Sequence, residues 1–225
     1  MSVRQRILGA LILVEVLAMS VWFSASAVVP QLREEWGISA TGAASLTGAV
    51  QVGFVVGSLA SALVNLPDRV SPRLLIAASA VGAAGANAAV AAFADGLAVA
   101  LPLRLATGIF LAGIYAPGLV VAASWFRDRL GLALGAVVGA LTLGSGVPHL
   151  ISAFGAPQWQ LALLVGSGLA LVAGAVALTL SDGPDRAPTP KLQLGYAARI
   201  FADRPIRLAN IGYFGHMWEL YAVWA

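Results

Sequence analysis

The chain has 225 residues, of which 60% are hydrophobic and only 10% charged, where a soluble domain carries about a quarter charged residues. Mean hydropathy is +0.88, and the apolar residues come in blocks of roughly 20, the number that crosses a ~30 Å hydrocarbon core at about 1.5 Å per residue, so a soluble fold is excluded. With no cysteine, disulfides, thiol catalysis and cysteine-ligated metals are excluded too, and the net charge of +3 lies scattered in loops rather than in a nucleic-acid-binding patch.

Seven spans are predicted, at residues 7–29, 42–66, 74–93, 97–124, 131–154, 161–180 and 206–225. Each must be a helix, because an open strand would leave backbone groups unpaired in hydrocarbon. Arg4 and Arg6 before the first apolar block imitate a signal peptide, but Glu15 interrupts the block and its length exceeds a signal core, so it reads as a first span. Lys and Arg fall almost entirely on one side of the spans (Arg33 is the exception, beside Glu34 and Glu35), which places the amino terminus in the cytoplasm. Trp36, Trp125 and Trp159 sit near span ends, as interfacial anchors do.

Taken in chain order, the loop after the second span reads Asn65-Leu66-Pro67-Asp68-Arg69-Val70-Ser71-Pro72-Arg73, a tight basic turn preceded by Gly57. The fourth span holds Arg104-Leu105-Ala106-Thr107-Gly108 with Ala112 and Gly113, and leaves the membrane through Trp125-Phe126-Arg127-Asp128-Arg129. An arginine about seven residues inside a span, ~11 Å deep, requires a partner or a water-filled cavity. The fifth span is rich in small residues, Gly131, Gly135, Gly139, Gly144 and Gly146 with Pro148, predicting close helix packing and a bend near the outer end. His149 beside it reads as a packing histidine. Residues 181–205 are polar and proline-rich, a cytoplasmic linker in which Leu194, Ala197, Ala198 and Phe201 fall at the spacing of a surface helix. The seventh span carries Gly215-His216-Met217-Trp218-Glu219-Leu220-Tyr221, with His216 and Glu219 on one helical face.

Together these motifs resemble those of the major facilitator superfamily over the whole chain. The loop with Gly57, Asp68, Arg69 and Arg73 is similar to the family's signature between helices two and three, although the glycine and base expected at Ser71 and Pro72 are missing. Arg104 to Gly113 resembles the helix-four pattern, and the glycine run to Pro148 resembles, imperfectly, the helix-five motif. The resemblance implies an all-α polytopic membrane protein of major-facilitator-type helical bundle, truncated after about seven transmembrane helices. Residues 1–180 would be the amino-terminal six-helix half, 181–205 the cytoplasmic linker and 206–225 the start of the second half. It further implies a cytoplasmic gate at Asp68, Arg69 and Arg73, and a central cavity lined by helices one, four and seven.

Glu15, Arg104, His216 and Glu219 are all expected near the bilayer centre on cavity-lining helices. Burial disfavours the charged form of a carboxylate, and histidine titrates near neutrality, so Glu15, Glu219 and His216 are candidate carriers of a coupling proton. Arg104 would pair with one of them or bind an anionic group, and Trp22, Phe23, Tyr115, Tyr213 and Trp218 are candidate cavity walls. The alternative is a static Glu15–Arg104 pair that fixes helix one to helix four. The expected function is secondary, proton-coupled active transport of a small solute across a plasma membrane (the inner membrane of a Gram-negative cell), without cofactor or metal.

Other classes fare worse. A retinal protein needs a lysine in the seventh span, and the only lysine, Lys191, is in the linker. Ser145 and His149 lie on the same helix, which gives no serine-protease pair, and no His-Glu-x-x-His zinc motif exists, so no enzyme is expected. A membrane sensor or scaffold, or an inactive transporter fragment, is the remaining rival, and midplane charge argues against a scaffold.

Overall fold

A computed structural model describes residues 2–153, 158–185 and 202–224. The chain divides into two compact units, Met1–Pro188 and Thr189–Ala225. The first holds α1 (Val3–Phe23), α2 (Val29–Trp36), α3 (Ala40–Leu63), α4 (Leu66–Arg69), α5 (Pro72–Phe93), α6 (Leu97–Trp125), α7 (Leu130–Ala153) and α8 (Trp159–Ala177). The second holds α9 (Arg204–Trp224). Six helices (α1, α3, α5, α6, α7 and α8) are long and apolar enough to cross a membrane, and the chain is a multi-pass membrane protein. With 21 residues α9 has the length, but Arg204, Arg207, Asn210, His216 and Glu219 keep it out of that set. The expected surface helix of the linker lies outside the described residues.

Local chemistry sets the helix ends. Ser2 and Gln5 form a reciprocal capping box at the start of α1, the Gln5 amide donating to Ser2 Oγ at 3.3 Å and the Ser2 amide to Gln5 Oε1 at 2.9 Å. Gly37, at φ 62°, ends α2 in the left-handed region, and Ser39 accepts from the Gly42 amide to start α3. Proline at the first position opens α5. The predicted first span does not run unbroken to residue 29: α1 stops at Phe23, and a 3-10 turn at Ser26–Val28 leads into the short α2.

Packing in the first unit depends on small residues, since lipid offers no hydrophobic drive for helices to associate. The α3–α6 contact is closest: a Cβ on Gly53 would strike the Leu105 carbonyl, and one on Gly108 would strike the Val50 carbonyl. Around the carboxyl end of α1, Ala25, Val28, Leu32, Leu46, Val90, Ala100, Trp159 and Leu163 belong to one buried apolar cluster. Trp36 and Trp159 meet edge to face beside it at 5.2 Å, and the Trp159 indole donates to Glu35 Oε2 at 2.6 Å.

The fifth-span glycine stripe needs correcting. Within this unit, Gly131, Gly135, Gly139 and Gly146 face open space, and of the five only Gly144 abuts a neighbouring helix, where an added Cβ would lie 2.8 Å from the Val16 carbonyl of α1. Pro148 is buried inside α7, whereas His149, expected to pack, is exposed. The four-residue spacing marks one face of α7, and that face is not the one turned to α1.

Candidate functional site

Two ionisable side chains, Glu15 on α1 and Arg104 on α6, are fully buried in the first unit. Arg104 lies among hydrogen-bond acceptors. Its Nη2 donates to the Trp22 carbonyl at 2.5 Å, and its Nη1 to the Val21 carbonyl at 3.1 Å and Asn87 Oδ1 at 3.0 Å, with Ser24 Oγ at 3.5 Å. Val21 and Trp22 belong to the last turn of α1, where regular helical donors run out, and the Val21 carbonyl also accepts from the Ser24 amide at 3.4 Å and from Ser24 Oγ at 2.8 Å. The guanidinium thus caps the carboxyl end of α1, where both its donors and its charge are favourable.

Asn87 of α5 extends this cluster. Its Oδ1 accepts from Arg104 and from Ser24 Oγ at 2.9 Å, while its Nδ2 donates to the Leu163 carbonyl at 2.8 Å and Ser167 Oγ at 3.1 Å on α8. One buried amide therefore links the end of α1 to α5, α6 and α8.

Glu15 has none of this. Neither carboxylate oxygen has a hydrogen-bond partner among the described residues. The side chain rests on Gly118 of α6, where an added Cβ would lie 2.7 Å from Glu15 Oε1 and 3.9 Å from Leu11. Pro117, beside that glycine, is also buried and has no amide hydrogen to offer.

The expected pairing of Glu15 with Arg104 is not formed. Counting inward from the span edges put both at one depth, but α1 ends at Phe23 and the guanidinium reaches its terminal carbonyls, about 10 Å along α1 from Glu15. The static-pair alternative fails for the same reason.

Of the candidate walls, Trp22 and Phe23 are buried and Tyr115 is half-buried. Phe54 of α3 joins them, with ring centroids 5.0 Å from Trp22 and 6.4 Å from Tyr115. Tyr213, His216, Trp218 and Glu219 are on α9 in the second unit, where the Tyr213 and His216 rings lie 6.5 Å apart. Arg69, at the end of α4, and Arg73, at the start of α5, are exposed. The Asp68 side chain lies outside the described residues. Arg73 borders a cleft of about 160 Å³ with Ser71, Val121, Leu180, Ser181 and Asp182. In the chain leaving α8, the Gly183 amide donates to Ser124 Oγ at 2.9 Å and the Trp125 indole to the Ser181 carbonyl at 2.8 Å, which ties that segment to the end of α6.

Sequence reasoning missed Asn87 and Phe54. An asparagine inside the third apolar block was a usable signal, because an amide in hydrocarbon must find partners. Phe54 gave no signal, since an aromatic residue in an apolar span is ordinary.

Among groups that could hold a metal ion, no cluster of three His, Cys, Asp or Glu side chains occurs among the described residues. The family model described as Major Facilitator Superfamily matches residues 11–224. No curated protein matches by sequence. Among solved structures, the chain is similar to one described as a bacterial homologue of the human lysosomal transporter Spinster, in an inward-facing and unoccupied conformation. The TM-score is 0.70 at 16% identity, and the match covers 90% of this chain and 50% of that one. The chain thus spans about half the length of the structure it resembles, and at this identity the likeness concerns the fold.

Proposed function

Since the chain belongs to the Major Facilitator Superfamily, we propose that it forms the first half, the linker and the seventh helix of a secondary active transporter that moves a small solute by alternating access and couples the movement to protons. The observation that carries the coupling is Glu15, fully buried in a membrane-spanning helix with both oxygens unpartnered. Burying a charge without a partner is expensive, and a bound proton removes the charge. A carboxyl placed this way gains or loses a proton as its surroundings open and close, which is what a coupling group must do.

Glu219 and His216 of α9 are proposed as further coupling groups, and Trp22, Phe23, Phe54 and Tyr115 as apolar walls of the path. Arg69 and Arg73, with Asp68, form the cytoplasmic gate in this reading. Asymmetry of Lys and Arg between the loops supports a cytoplasmic amino terminus and a plasma-membrane or inner-membrane site. Arg104 is assigned no solute-binding role, because Nη1 and Nη2 are engaged by α1 and Asn87 and the side chain is fully buried, with Nε alone lacking a partner among the described residues.

Proton movement in liposomes holding the full-length protein, screened across solute classes, tests the reading. Solute-dependent proton flux is expected, with Glu15→Gln keeping normal abundance and losing proton dependence. Wild-type coupling in both Glu15→Gln and Glu219→Gln rejects the coupling assignments. Well-folded protein with no flux for any class rejects transport.

A further inference from the structure

Arg104 can hold the end of α1 only while its guanidinium keeps one orientation, and the residue that fixes that orientation is on a third helix. We propose that Asn87 is a positioning residue: its amide oxygen, anchored from α8 through its amide nitrogen, holds Arg104 on the Val21 and Trp22 carbonyls, and so sets where α1 ends.

The chemistry dictates which way the amide points. Arginine only donates and the Leu163 carbonyl only accepts, so the oxygen must face Arg104 and the nitrogen must face α8. Asn87 is fully buried and both ends are occupied, with Oδ1 taking Arg104 and Ser24, and Nδ2 giving to Leu163 and Ser167. The amide therefore cannot rotate without breaking bonds on two helices. Without it, the guanidinium keeps the Trp22 and Val21 carbonyls and the more distant Ser24 hydroxyl, all at the end of α1, and loses its tie to α5 and, through Nδ2, to α8. The backbone just past that point is a single 3-10 turn between α1 and α2. A cap that wanders there changes how α1 hands over to α2, the place where a rigid helix gives way to a hinge-like turn.

These 225 residues contain no cysteine, so once any cysteine in the rest of the full-length protein is replaced by serine, a single introduced thiol gives a clean test. In the full-length protein with Ala27→Cys, a half-buried position in the 3-10 turn, the rate of maleimide labelling reports how firmly the end of α1 is held. Asn87→Ala is expected to raise that rate at least fivefold. Asn87→Asp keeps an oxygen for Arg104 but, when ionised, has no donor for the Leu163 carbonyl, so it retains the Arg104 contact with a weakened α8 anchor and is expected to label closer to the parent than to Asn87→Ala. Arg104→Lys, whose single ammonium cannot span both carbonyls and Asn87, is expected to label as fast as Asn87→Ala, and the double variant no faster than either. This labelling arm stands whether or not the protein transports.

The flux arm rests on the transport reading. There, Asn87→Ala should lower the maximal rate at least tenfold with the half-saturating solute concentration within twofold, and Asn87→Asp should restore most of it. Unchanged labelling in Asn87→Ala, equal loosening in Asn87→Asp, or multiplicative effects in the double variant would overturn the proposal. If Asn87→Ala does not accumulate, Asn87→Ser, too short to bridge both sides, takes its place under the same criteria. The expected labelling pattern with no flux from the parent would sustain the positioning role and remove the transport reading instead.

Discussion

Arg104 and Glu15 lie on the same helix pair and are equally buried, yet Arg104 has acceptors at Nη1 and Nη2, with Nε alone unpartnered, while Glu15 has no hydrogen-bond donor among the described residues. A buried charge kept for structure acquires partners, because an unpaired one is too costly to hold a fold together. By that measure Arg104 is structural first, a cap on α1 stiffened by Asn87. Glu15 makes no hydrogen bond among the described residues, which is the arrangement the proposed coupling role requires. Burial alone would have ranked the two together, and the hydrogen-bond pattern separates them.

If that distinction is right, removing Arg104 is the most damaging change. Arg104→Leu takes the guanidinium donors away from the Val21 and Trp22 carbonyls and from Asn87 Oδ1, with Ser24 remaining as a donor to Val21 and Asn87, at about 1 kcal/mol for each bond lost. A loss of about 3 kcal/mol corresponds to a fall of roughly 6–12 °C in the melting midpoint of detergent-solubilised protein. A midpoint within 2 °C of wild type would mean that the cap is dispensable and would erase the contrast.

Gly118→Ala comes next. The new Cβ would lie 2.7 Å from Glu15 Oε1, the movable tip of a side chain rather than backbone. The carboxyl shifts by a few tenths of an ångström, and the gain in helix propensity, up to about 1 kcal/mol, offsets the crowding. The midpoint should therefore move little while proton-coupled flux falls severalfold. A large loss of stability with unchanged coupling would show that Glu15 is wedged in place as a structural element.

The contrast was only half legible in the sequence. Block length and loop charge gave the six membrane helices, because hydrocarbon thickness and backbone satisfaction leave few alternatives. The 21-residue α1 against a 23-residue block shows the limit: nothing in Ser24-Ala25-Ser26-Ala27 is a helix breaker, and the carbonyls at the break are taken by Arg104, 82 residues from Trp22. Glu15 and Arg104 could be singled out from composition, but their partners could not. Depth along a span is a one-dimensional measure, whereas pairing depends on helix rotation and on where the neighbouring helix ends. The glycine stripe of α7 failed similarly, since spacing defines a face without saying what covers it.

A smaller effect is expected at the outer edge of the Asn87 cluster. Ser167→Ala removes one of two acceptors for Nδ2 and leaves the Leu163 carbonyl at 2.8 Å. Interhelical hydrogen bonds in membranes average about 0.6 kcal/mol, so a fall of only 1–3 °C is expected, with flux nearly unchanged. A drop approaching that of Arg104→Leu would move the anchor of the cluster from α6 to α8.

The smallest effect on stability should come from Glu15→Gln, although it carries the largest expected effect on coupling. No hydrogen bond or ion pair is lost, because none is made. The amide is close in size to the carboxyl and also lacks a partner, so the polar burden on the apolar wall stays about the same, while any cost of holding a charge there disappears. The melting midpoint should thus hold within about 2 °C of wild type or rise, for a change of under ~0.5 kcal/mol. A fall of 6 °C or more would show that Glu15 is held by a partner in the folded protein, and the two buried charges would then belong to one structural class.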